Sequence, residues 1–349
     1  EEARTNLAIQ STFASPWFFS FSTGTLNSAT APDGTLSAVL MNSGTATDVH
    51  QCYIAVTGNV SGATATDSVY VKAGTGRYIT ISVFGASTLT GGYAVFDLVG
   101  AAVTQSGALT AGGTLNSTSI TAVGNGFYRL TVTATPTADT SVYFAISTSN
   151  TATYTPDIAG RNSYTGTSTT YYIWGAQSEA GSFPTSYIPT AGGTVSRSAD
   201  TASMTGTNFS SWYNATAGAF LVQFDTPASG TRIISAADDN TANNNIQMLT
   251  SGTDPTFLVT TSGTAQASID AGTVAVNTVY KFAGTYSAND FAACISGGTV
   301  GTDTSGTIPT VDRLRIGAGQ AGNTLCGHVA LLNYYPARLT DATLQSLTL

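Results

Sequence analysis

Residues 127–134, FYRLTVTA, decide the fold of this chain. Every second side chain in the run is apolar or aromatic, and these are Tyr128, Leu130 and Val132, while the side chains between them are polar. Successive side chains of a β-strand point to opposite faces of its sheet. The run therefore predicts a strand with one face on a core.

Similar short runs, separated by clusters of Gly, Ser, Thr, Asn and Pro, recur on both sides of this stretch. Regular spacing of such runs is typical of β-sandwiches. We predict two sets of strands, the first at residues 68–72, 78–84, 93–98, 127–134, 141–147 and 171–177 and the second at residues 219–225, 232–236, 246–249, 256–260, 279–286, 291–295, 313–317 and 328–334. The expected fold is all-β, with two tandem antiparallel β-sandwich (jelly-roll) domains.

One short helix is expected at the C-terminal end of the chain. Thr340 can cap it, and Leu344 and Leu347 then fall on one helical face after Pro336. Between the two strand sets lies SYIPTAGGT, residues 186–194, in which a proline and a glycine pair interrupt any strand. We place the boundary there, with domains at residues 1–193 and 194–349.

The composition limits the partners. Charged residues make up only 9% of the 349 residues against a usual value of about a quarter, and the net charge is −8. Duplex nucleic acid is therefore not an expected partner. No apolar run approaches the roughly 20 residues that span a bilayer, so no membrane insertion is expected. With 42% hydrophobic residues the chain has enough apolar surface to fold.

Several motifs resemble known families. RTNL at 4–7, APDGT at 31–35, GNGFYR at 124–129, YIWGAQSEAG at 172–181 and TSYIPT at 185–190 resemble a carbohydrate-binding-module-like jelly roll found in phage virion proteins. The later part, with FSSWYN at 209–214 and YYPARL at 334–339, resembles a concanavalin A-like, LamG-type sandwich. The resemblance implies a phage tail, fibre or head-decoration protein that meets surface glycans, without specifying the glycan.

Sugar binding on a β-sandwich needs exposed aromatic rings and short polar groups. The candidates in the first domain are Trp17, Tyr53, Tyr164 and Trp174. Core packing is the competing interpretation of both tryptophans. Tyr164 lies in the polar stretch NSYTG, residues 162–166, which is interpreted as a loop at the rim of the sandwich.

In the second domain, Asp238, Asp239 and Asn240 are followed by three more asparagines, so one turn collects carboxylates and amides. These groups could ligate a structural calcium ion or sugar hydroxyls. The alternative is turn chemistry, because Asp and Asn side chains cap their own backbone. No other cofactor is expected.

The sequence argues against an enzyme. Glycoside hydrolysis needs two carboxyl groups across the scissile bond, yet no predicted strand carries acids at alternate positions, and the internal glutamate, Glu179, sits just before the linker. His50 and His328 lie in different domains, and His328 is interpreted as a structural histidine in a strand. Cys294 and Cys326 could be neighbours, but a sequence does not show whether they pair.

The expected function is a non-enzymatic virion protein that binds host or environmental surface glycans on the virion surface. A purely structural capsid or tail decoration protein and a polysaccharide depolymerase are the alternatives. Weak single sites are commonly compensated by multiple copies, so a homo-oligomer such as a trimer is expected, in contact with other virion proteins. The chain starts with Glu1 and not with Met, which leaves open an anchoring segment upstream.

Overall fold

The computed structural model describes residues 1–57, 62–139, 141–320 and 323–349. Two compact units share the chain. The first unit comprises Arg4–Arg197, and the second comprises Ser198–Leu349 together with Glu1–Ala3. Each unit is described separately below. The boundary predicted near Gly193 stays a prediction, and the contacts divide the chain a few residues later.

The first unit contains sixteen strands within the described residues. In chain order they are β1 (Arg4–Asn6), β2 (Phe18–Ser20), β3 (Thr23–Thr30), β4 (Leu36–Asn42), β5 (Thr47–Val49), β6 (Gln51–Val56), β7 (Ala65–Ala73), β8 (Tyr78–Gly85), β9 (Gly91–Asp97), β10 (Ala102–Ala108), β11 (Thr114–Gly124), β12 (Phe127–Thr135), β13 (Val142–Ser149), β14 (Ser163–Thr165), β15 (Thr170–Ala180) and β16 (Val195–Arg197).

Two six-stranded antiparallel sheets form the sandwich of the first unit. The first sheet has the order β10-β9-β8-β13-β6-β2, and the second has the order β11-β12-β7-β15-β4-β3. Two small ribbons, β1-β16 and β14-β5, complete the unit. The strand FYRLTVTA forms β12, with Leu130 and Val132 fully buried in the core between the sheets and Arg129 on the opposite face. The alternation that predicted this strand is therefore confirmed.

The second unit contains β17 (Ala202–Thr205), α1 (Thr207–Ser210), β18 (Ala217–Phe224), β19 (Arg232–Asp238), β20 (Asn245–Ser251), β21 (Asp254–Thr261), β22 (Thr264–Asp270), β23 (Tyr280–Ser287), β24 (Asp290–Ile295), β25 (Gly301–Asp303), β26 (Arg313–Ile316), β27 (Val329–Tyr335) and α2 (Asp341–Thr348). A six-stranded sheet, β17-β26-β19-β20-β21-β22, faces a five-stranded sheet, β25-β24-β23-β18-β27. The predicted all-β fold is confirmed.

The C-terminal helix α2 is also confirmed. The hydroxyl of Thr340 accepts a hydrogen bond from the backbone N–H of Thr343, Leu344 is fully buried, and Leu347 packs beside it. Helix α1 was not predicted. It is a single turn that buries Phe209 and has no side-chain cap, so its local sequence carries little signal. No helix among the described residues is long and apolar enough to cross a membrane.

Two sequence interpretations are wrong. The stretch at residues 162–166 is not simply a loop, because Ser163–Thr165 forms β14 and pairs with β5. His328 is not a core histidine. Its side chain is 87% exposed, and its Nδ1 lies 3.0 Å from Asp225 Oδ1. The loop interpretation failed because a short pattern does not show which distant strand pairs with a segment. The histidine interpretation failed because β27 begins only at Val329, one residue after His328.

The three cysteines are free thiols. Cys52 and Cys294 are buried, and Cys326 is half-buried. Cys294 and Cys326 therefore do not form a disulfide in this structure. Burial strongly raises the pKa of the Cys52 thiol, which keeps it protonated and agrees with its interpretation as a small apolar residue.

Candidate functional site

An array of aromatic side chains covers part of the outward face of the first sheet of the first unit. We call this array, made of Phe18, Tyr53, Phe84 and Tyr143, the aromatic face. Strand register places Phe18 opposite Tyr53 and Tyr143 opposite Phe84. The ring centroids of Tyr53 lie 5.3 Å from Phe18 and 5.4 Å from Tyr143, and Tyr143 lies 5.5 Å from Phe84. Four rings thus follow one another across β2, β6, β13 and β8.

The rings differ in exposure in a way that suits a ligand platform. Phe18 is 56% exposed, Tyr53 and Tyr143 are half-buried, and Phe84 is 5% exposed. No described residue forms a hydrogen bond with the hydroxyl of Tyr53 or Tyr143. The array therefore presents apolar ring surface together with two free hydroxyl groups, which is the combination that sugar binding needs.

Polar groups lie on the same side of the sheet. Ser82 on β8 and Ser147 on β13 alternate with core residues and so point away from the core. Their hydroxyls are buried and have no hydrogen-bond partner in the part of the chain that the structure describes. Most buried polar groups are paired, so two unpaired hydroxyls on one sheet face are notable.

The segment between β13 and β14 crosses this outward face and borders the aromatic face. The hydroxyl of Tyr154 lies 2.8 Å from Thr80 Oγ1 and donates to the carbonyl of Gly160. Arg161 donates from Nη2 to Asp157 Oδ2 at 2.8 Å and from Nη1 to Gln51 Oε1 at 3.0 Å. These contacts hold the segment between β13 and β14 in place without a ligand.

Two charged pairs lie on the outward side of the first sheet. The Arg161–Asp157 pair borders the aromatic face through Gln51, which lies two residues before Tyr53 on β6. Arg77 donates to Asp97 from Nε and Nη2, at 2.8 and 2.7 Å, at the far end of β8, where Asp97 pairs with Tyr78. The hydrogen bonds from Arg77 hold the pKa of the Asp97 carboxyl well below its usual range, despite the opposing effect of burial. The ion pair that a ligand at the aromatic face would meet is therefore Arg161–Asp157.

Of the sequence-predicted residues, only Tyr53 lies in this array. Trp17 is 7% exposed, packs 4.5 Å from Phe13, and donates from Nε1 to the carbonyl of Gln10. The adjacent residue Phe18, which the sequence analysis did not select, is the one that packs on Tyr53.

Trp174 is buried at the other sheet. Its side chain is 4% exposed, lies 4.4 Å from the ring of Tyr187, and donates from Nε1 to Ser37 Oγ at 2.9 Å. The core-packing interpretation therefore describes both tryptophans, and neither presents a ring to a ligand.

Tyr164 was expected to be an exposed loop residue, and this expectation is wrong. Its side chain is 8% exposed because β14 pairs with β5. Its hydroxyl lies 2.7 Å from Thr148 Oγ1, and its ring packs 4.8 Å from the ring of His50. A ring used in this way is not available for stacking on a sugar.

The loop that starts at Asp238 is held in place by hydrogen bonds from Arg315 and by hydrogen bonds within the loop. Asp238 is 1% exposed and accepts from Arg315 Nε at 2.8 Å, and Asn240 accepts from Arg315 Nη2. Asp239 accepts from Thr241 and from Asn244 Nδ2. The hydrogen bonds to Thr241 and Asn244 hold the pKa of Asp239 below its usual value. An arginine on Asp238 opposes a divalent cation, so this arrangement favours the turn-chemistry interpretation.

A cavity of about 500 Å³ opens in the second unit next to α1. Phe209, Tyr213 and Arg313 help to line it. Tyr213 stacks on Phe209 at 4.6 Å, and Trp212 packs 5.0 Å from Phe209. Phe209 is buried and the other two rings are half-buried, whereas Phe18 of the aromatic face is 56% exposed, so this cavity is the weaker candidate.

The two buried carboxyl groups that could be considered as general acids among the described residues are Asp67 and Glu179. Burial raises the pKa of Asp67 to about 8, and the nearby charge of Glu179 adds to the rise. However, Asp67 is fully buried and pairs in register with the core residue Val132. Glu179 is also fully buried and accepts hydrogen bonds from Gln177 and Thr185. A substrate cannot reach either group in this structure.

Comparisons with known proteins add little beyond the fold. No protein-family model matches the sequence, and no curated protein sequence matches it significantly. Solved structures do match, among them mouse laminin alpha1 domains LG4-5 (9% identity, TM-score 0.31, 85% of this chain and 90% of that chain). A CBM40 of a Ruminococcus gnavus IT-sialidase bound to alpha2,3 sialyllactose matches with 13% identity and TM-score 0.33, over 39% of this chain and 84% of that chain.

A SAP-like pentraxin from Limulus polyphemus matches with 14% identity and TM-score 0.32, over 39% of this chain and 72% of that chain. TM-scores this low carry no argument about a site or a ligand. None of these three structures is a virion protein, so the virion role stays a prediction.

The sequence analysis missed Phe18, Phe84 and Tyr143. Phe84 and Tyr143 lie in predicted strands. Their sequence neighbours Val83 and Phe144 are core residues, so the alternation along each strand places Phe84 and Tyr143 on the other face of the sheet. The sequence thus shows that each of these aromatic residues faces outward from its strand. It does not show that the rings are neighbours, because that depends on long-range register.

Proposed function

We propose that this chain is a non-enzymatic glycan-binding protein and that the aromatic face is its sugar platform. The observation that carries the proposal is the run of four rings, Phe18, Tyr53, Tyr143 and Phe84, with centroid spacings of 5.3 to 5.5 Å and decreasing exposure. The rings of Tyr53 and Tyr143 are perpendicular, with an interplanar angle of 88°, so a pyranose ring can stack on one of them while the edge of the other ring, the tyrosine hydroxyls and Arg161 contact its hydroxyl groups.

Paired charges next to the rings support binding over catalysis. Asp97 and Asp157, which flank this side of the sheet, are both held by arginines. Glycosidases need one carboxyl group that stays protonated and can be reached by the substrate. The hydrogen bonds from Arg77 keep the Asp97 carboxyl ionised, so Asp97 is unsuited to that role.

We further propose that the protein acts on a virion surface, as the sequence motifs at 172–181 and 185–190 imply. Display of several copies, for example in a homotrimer, would raise the avidity of a site with few contacts. A purely structural decoration role is the alternative, and it predicts that removing the rings of the aromatic face has no effect on attachment.

A glycan array probed with the multimerised protein tests the proposal. We expect binding to a subset of glycans and a loss of about tenfold or more in affinity for Tyr53→Ala and Tyr143→Ala, since central aromatic residues dominate binding energies. Tyr53→Phe keeps the ring and should keep most of the binding. Tyr335→Ala, a tyrosine of the second unit, is the matched control. Unchanged binding in both alanine variants would reject the aromatic face as the site.

The non-enzymatic part has its own test. The protein is incubated with the polysaccharides that bind on the array, and reducing ends and unsaturated products are measured. We expect neither product to accumulate. Product release that a point substitution abolishes would identify a depolymerase instead.

A further inference from the structure

Most cations of this chain that the structure describes are paired with carboxylates. Within 4.0 Å of a carboxylate oxygen lie Arg77, Arg161, Arg232, Arg313, Arg315 and Arg338. Lys72 and Arg129 differ, because no described carboxylate lies within that distance of either one. In a chain with only 11 Lys and Arg residues and a net charge of −8, two unpaired cations on one surface are unexpected.

Lys72 and Arg129 lie on the same outward face of the second sheet of the first unit. Register places Arg129 on β12 opposite Tyr70 on β7, and Tyr172 on β15 opposite Lys72 on β7. Lys72 and Tyr70 are two residues apart on one strand and so share a face. We call these four residues the cationic face. All four are half-buried and none belongs to the core between the two sheets.

The side chains of the cationic face are held in place. The guanidinium of Arg129 lies 5.4 Å from the ring centroid of Tyr70, and its Nη2 donates to Ser68 Oγ at 2.9 Å. Lys72 Nζ lies 5.9 Å from the ring centroid of Phe127. No described residue accepts a hydrogen bond from Arg129 Nη1 or from Lys72 Nζ. Two oriented cations therefore keep donors free for a ligand.

We propose that the cationic face is a second binding site, which takes the carboxylate or sulfate groups of an acidic polysaccharide. A guanidinium anchored at one nitrogen loses little freedom when a second nitrogen binds an oxyanion. Tyr172 supplies ring surface beside Lys72, which favours a sugar over a bare ion, while Tyr70 supports Arg129 and packs on Trp174.

The two buried acidic groups of β7 and β15 do not neutralise these cations. Asp67 on β7 points to the core side of the sheet, and burial keeps its carboxyl protonated at neutral pH because its pKa is raised to about 8. Glu179 lies at the far end of β15 and is fully buried under its hydrogen bonds to Gln177 and Thr185. The exposed Asp33 lies near Tyr187, accepts hydrogen bonds from Thr35, and is not within 4.0 Å of either cation.

This site lies on the other sheet from the aromatic face, so each can fail without the other. The probe is polygalacturonate, and its fully methyl-esterified form is the neutral comparison. We expect wild-type protein to bind the charged polymer and to bind the ester much more weakly. Arg129→Gln and Lys72→Gln should each weaken binding of polygalacturonate by about tenfold, the loss expected for one charge-assisted hydrogen bond. Thermal melts check that both variants fold.

Lys281→Gln removes the same charge from the second unit and should bind like wild type, which makes it the matched control. Wild-type affinity of both Arg129→Gln and Lys72→Gln, or equal affinity for polymer and ester, would overturn the proposal. Equal binding of single-stranded oligothymidylate would also overturn it, because the face would then recognise charge without recognising sugar. A loss seen only with Tyr53→Ala would assign the polymer to the aromatic face and reject the cationic face.

Discussion

The two outward faces of the first unit use similar rings in opposite electrostatic settings. At the aromatic face the bordering arginine, Arg161, is held by Asp157. At the cationic face Arg129 and Lys72 have no carboxylate partner among the described residues, and tyrosines lie beside them instead. The difference teaches that aromatic content alone does not define the ligand. Under the two proposals, the pairing of the neighbouring charges separates a site for neutral sugars from a site for acidic sugars.

The largest expected effect concerns two aspartates of the first unit, Asp67 on β7 of the second sheet and Asp97 on β9 of the first sheet. The folded-state pKa of Asp67 is raised to about 8, so the neutral form is the one that stabilises the fold. Stability from this group is complete below the unfolded pKa of about 4 and falls as the pH rises towards 8. Between about pH 5 and pH 9 the free energy of unfolding should drop by on the order of 5 kcal/mol, as measured by urea denaturation.

Asp67→Asn should remove most of that pH dependence, since the amide does not titrate. Asp97 has the opposite sign. Its pKa is lowered by Arg77, so its contribution is present above about pH 4 and is lost as the pH falls further. Asp97→Asn should therefore lower the free energy of unfolding above about pH 4 and remove the decline that this group causes on the acid side. An identical alkaline decline in wild type and Asp67→Asn would show that Asp67 is not the group responsible.

The second prediction separates packing from binding. Trp174 is buried behind the cationic face, so Trp174→Ala should cost about 3–5 kcal/mol of unfolding free energy through the cavity that it leaves. Tyr53→Ala at the aromatic face should cost about 1 kcal/mol or less, since the ring is half-buried and its hydroxyl is free. Chemical denaturation of both variants measures the difference. Equal costs would mean that Tyr53 is a packing residue and not a platform.

A change in ionic strength should change the binding affinity of the two faces differently, by less than the substitutions above. Raising the ionic strength from about 0.1 M to about 1 M shortens the Debye length from about 10 to about 3 Å. Binding of polygalacturonate at the cationic face should weaken severalfold, while binding of a neutral glycan at the aromatic face should stay nearly constant. Titration calorimetry at both salt concentrations provides the measurement. A neutral glycan that loses affinity as strongly would remove the electrostatic contrast between the faces.

The smallest effect is expected at the Asp238 loop, where the carboxylates are already paired. Calcium or a chelator should leave the melting temperature of the protein unchanged, because Asp238 is bound by Arg315 and Asp239 by its own turn. Asp239→Ala should cost about 1 kcal/mol or less, equally with and without calcium. A calcium-dependent rise in melting temperature that Asp239→Ala abolishes would restore the metal site and show that paired carboxylates can still bind a cation.

The fold followed from the sequence because it rests on local alternation. Each predicted strand, such as residues 78–84 and 291–295, overlaps an observed one, here β8 and β24. Local alternation does not account for the burial of Tyr164. Its neighbours Ser163 and Thr165 are polar, yet β5, more than a hundred residues earlier, pairs with it and buries its ring. Such long-range pairing leaves no mark in a stretch of five residues.

The candidate site was only partly predictable for the same reason. Tyr53 was selected as an aromatic residue, but its contacts with Phe18 and Tyr143 depend on the order β13-β6-β2 within the sheet. Likewise, the sequence shows that Arg129 is polar-facing but not that it lacks a carboxylate neighbour. Strand order and charge pairing are properties of the assembled sheets, so a pattern along one strand does not contain them.

The ribbon β1-β16 gives the first unit a property useful to protein engineers. It pairs Arg4 with Arg197, which are the two ends of that unit. Antiparallel partners lie only about 5 Å apart. The segment Arg4–Arg197 can therefore be spliced into a surface loop of a host protein without stretching the host, or be circularly permuted with a short joining peptide. Such a segment would carry both outward faces, and with them the two proposed sugar-binding sites.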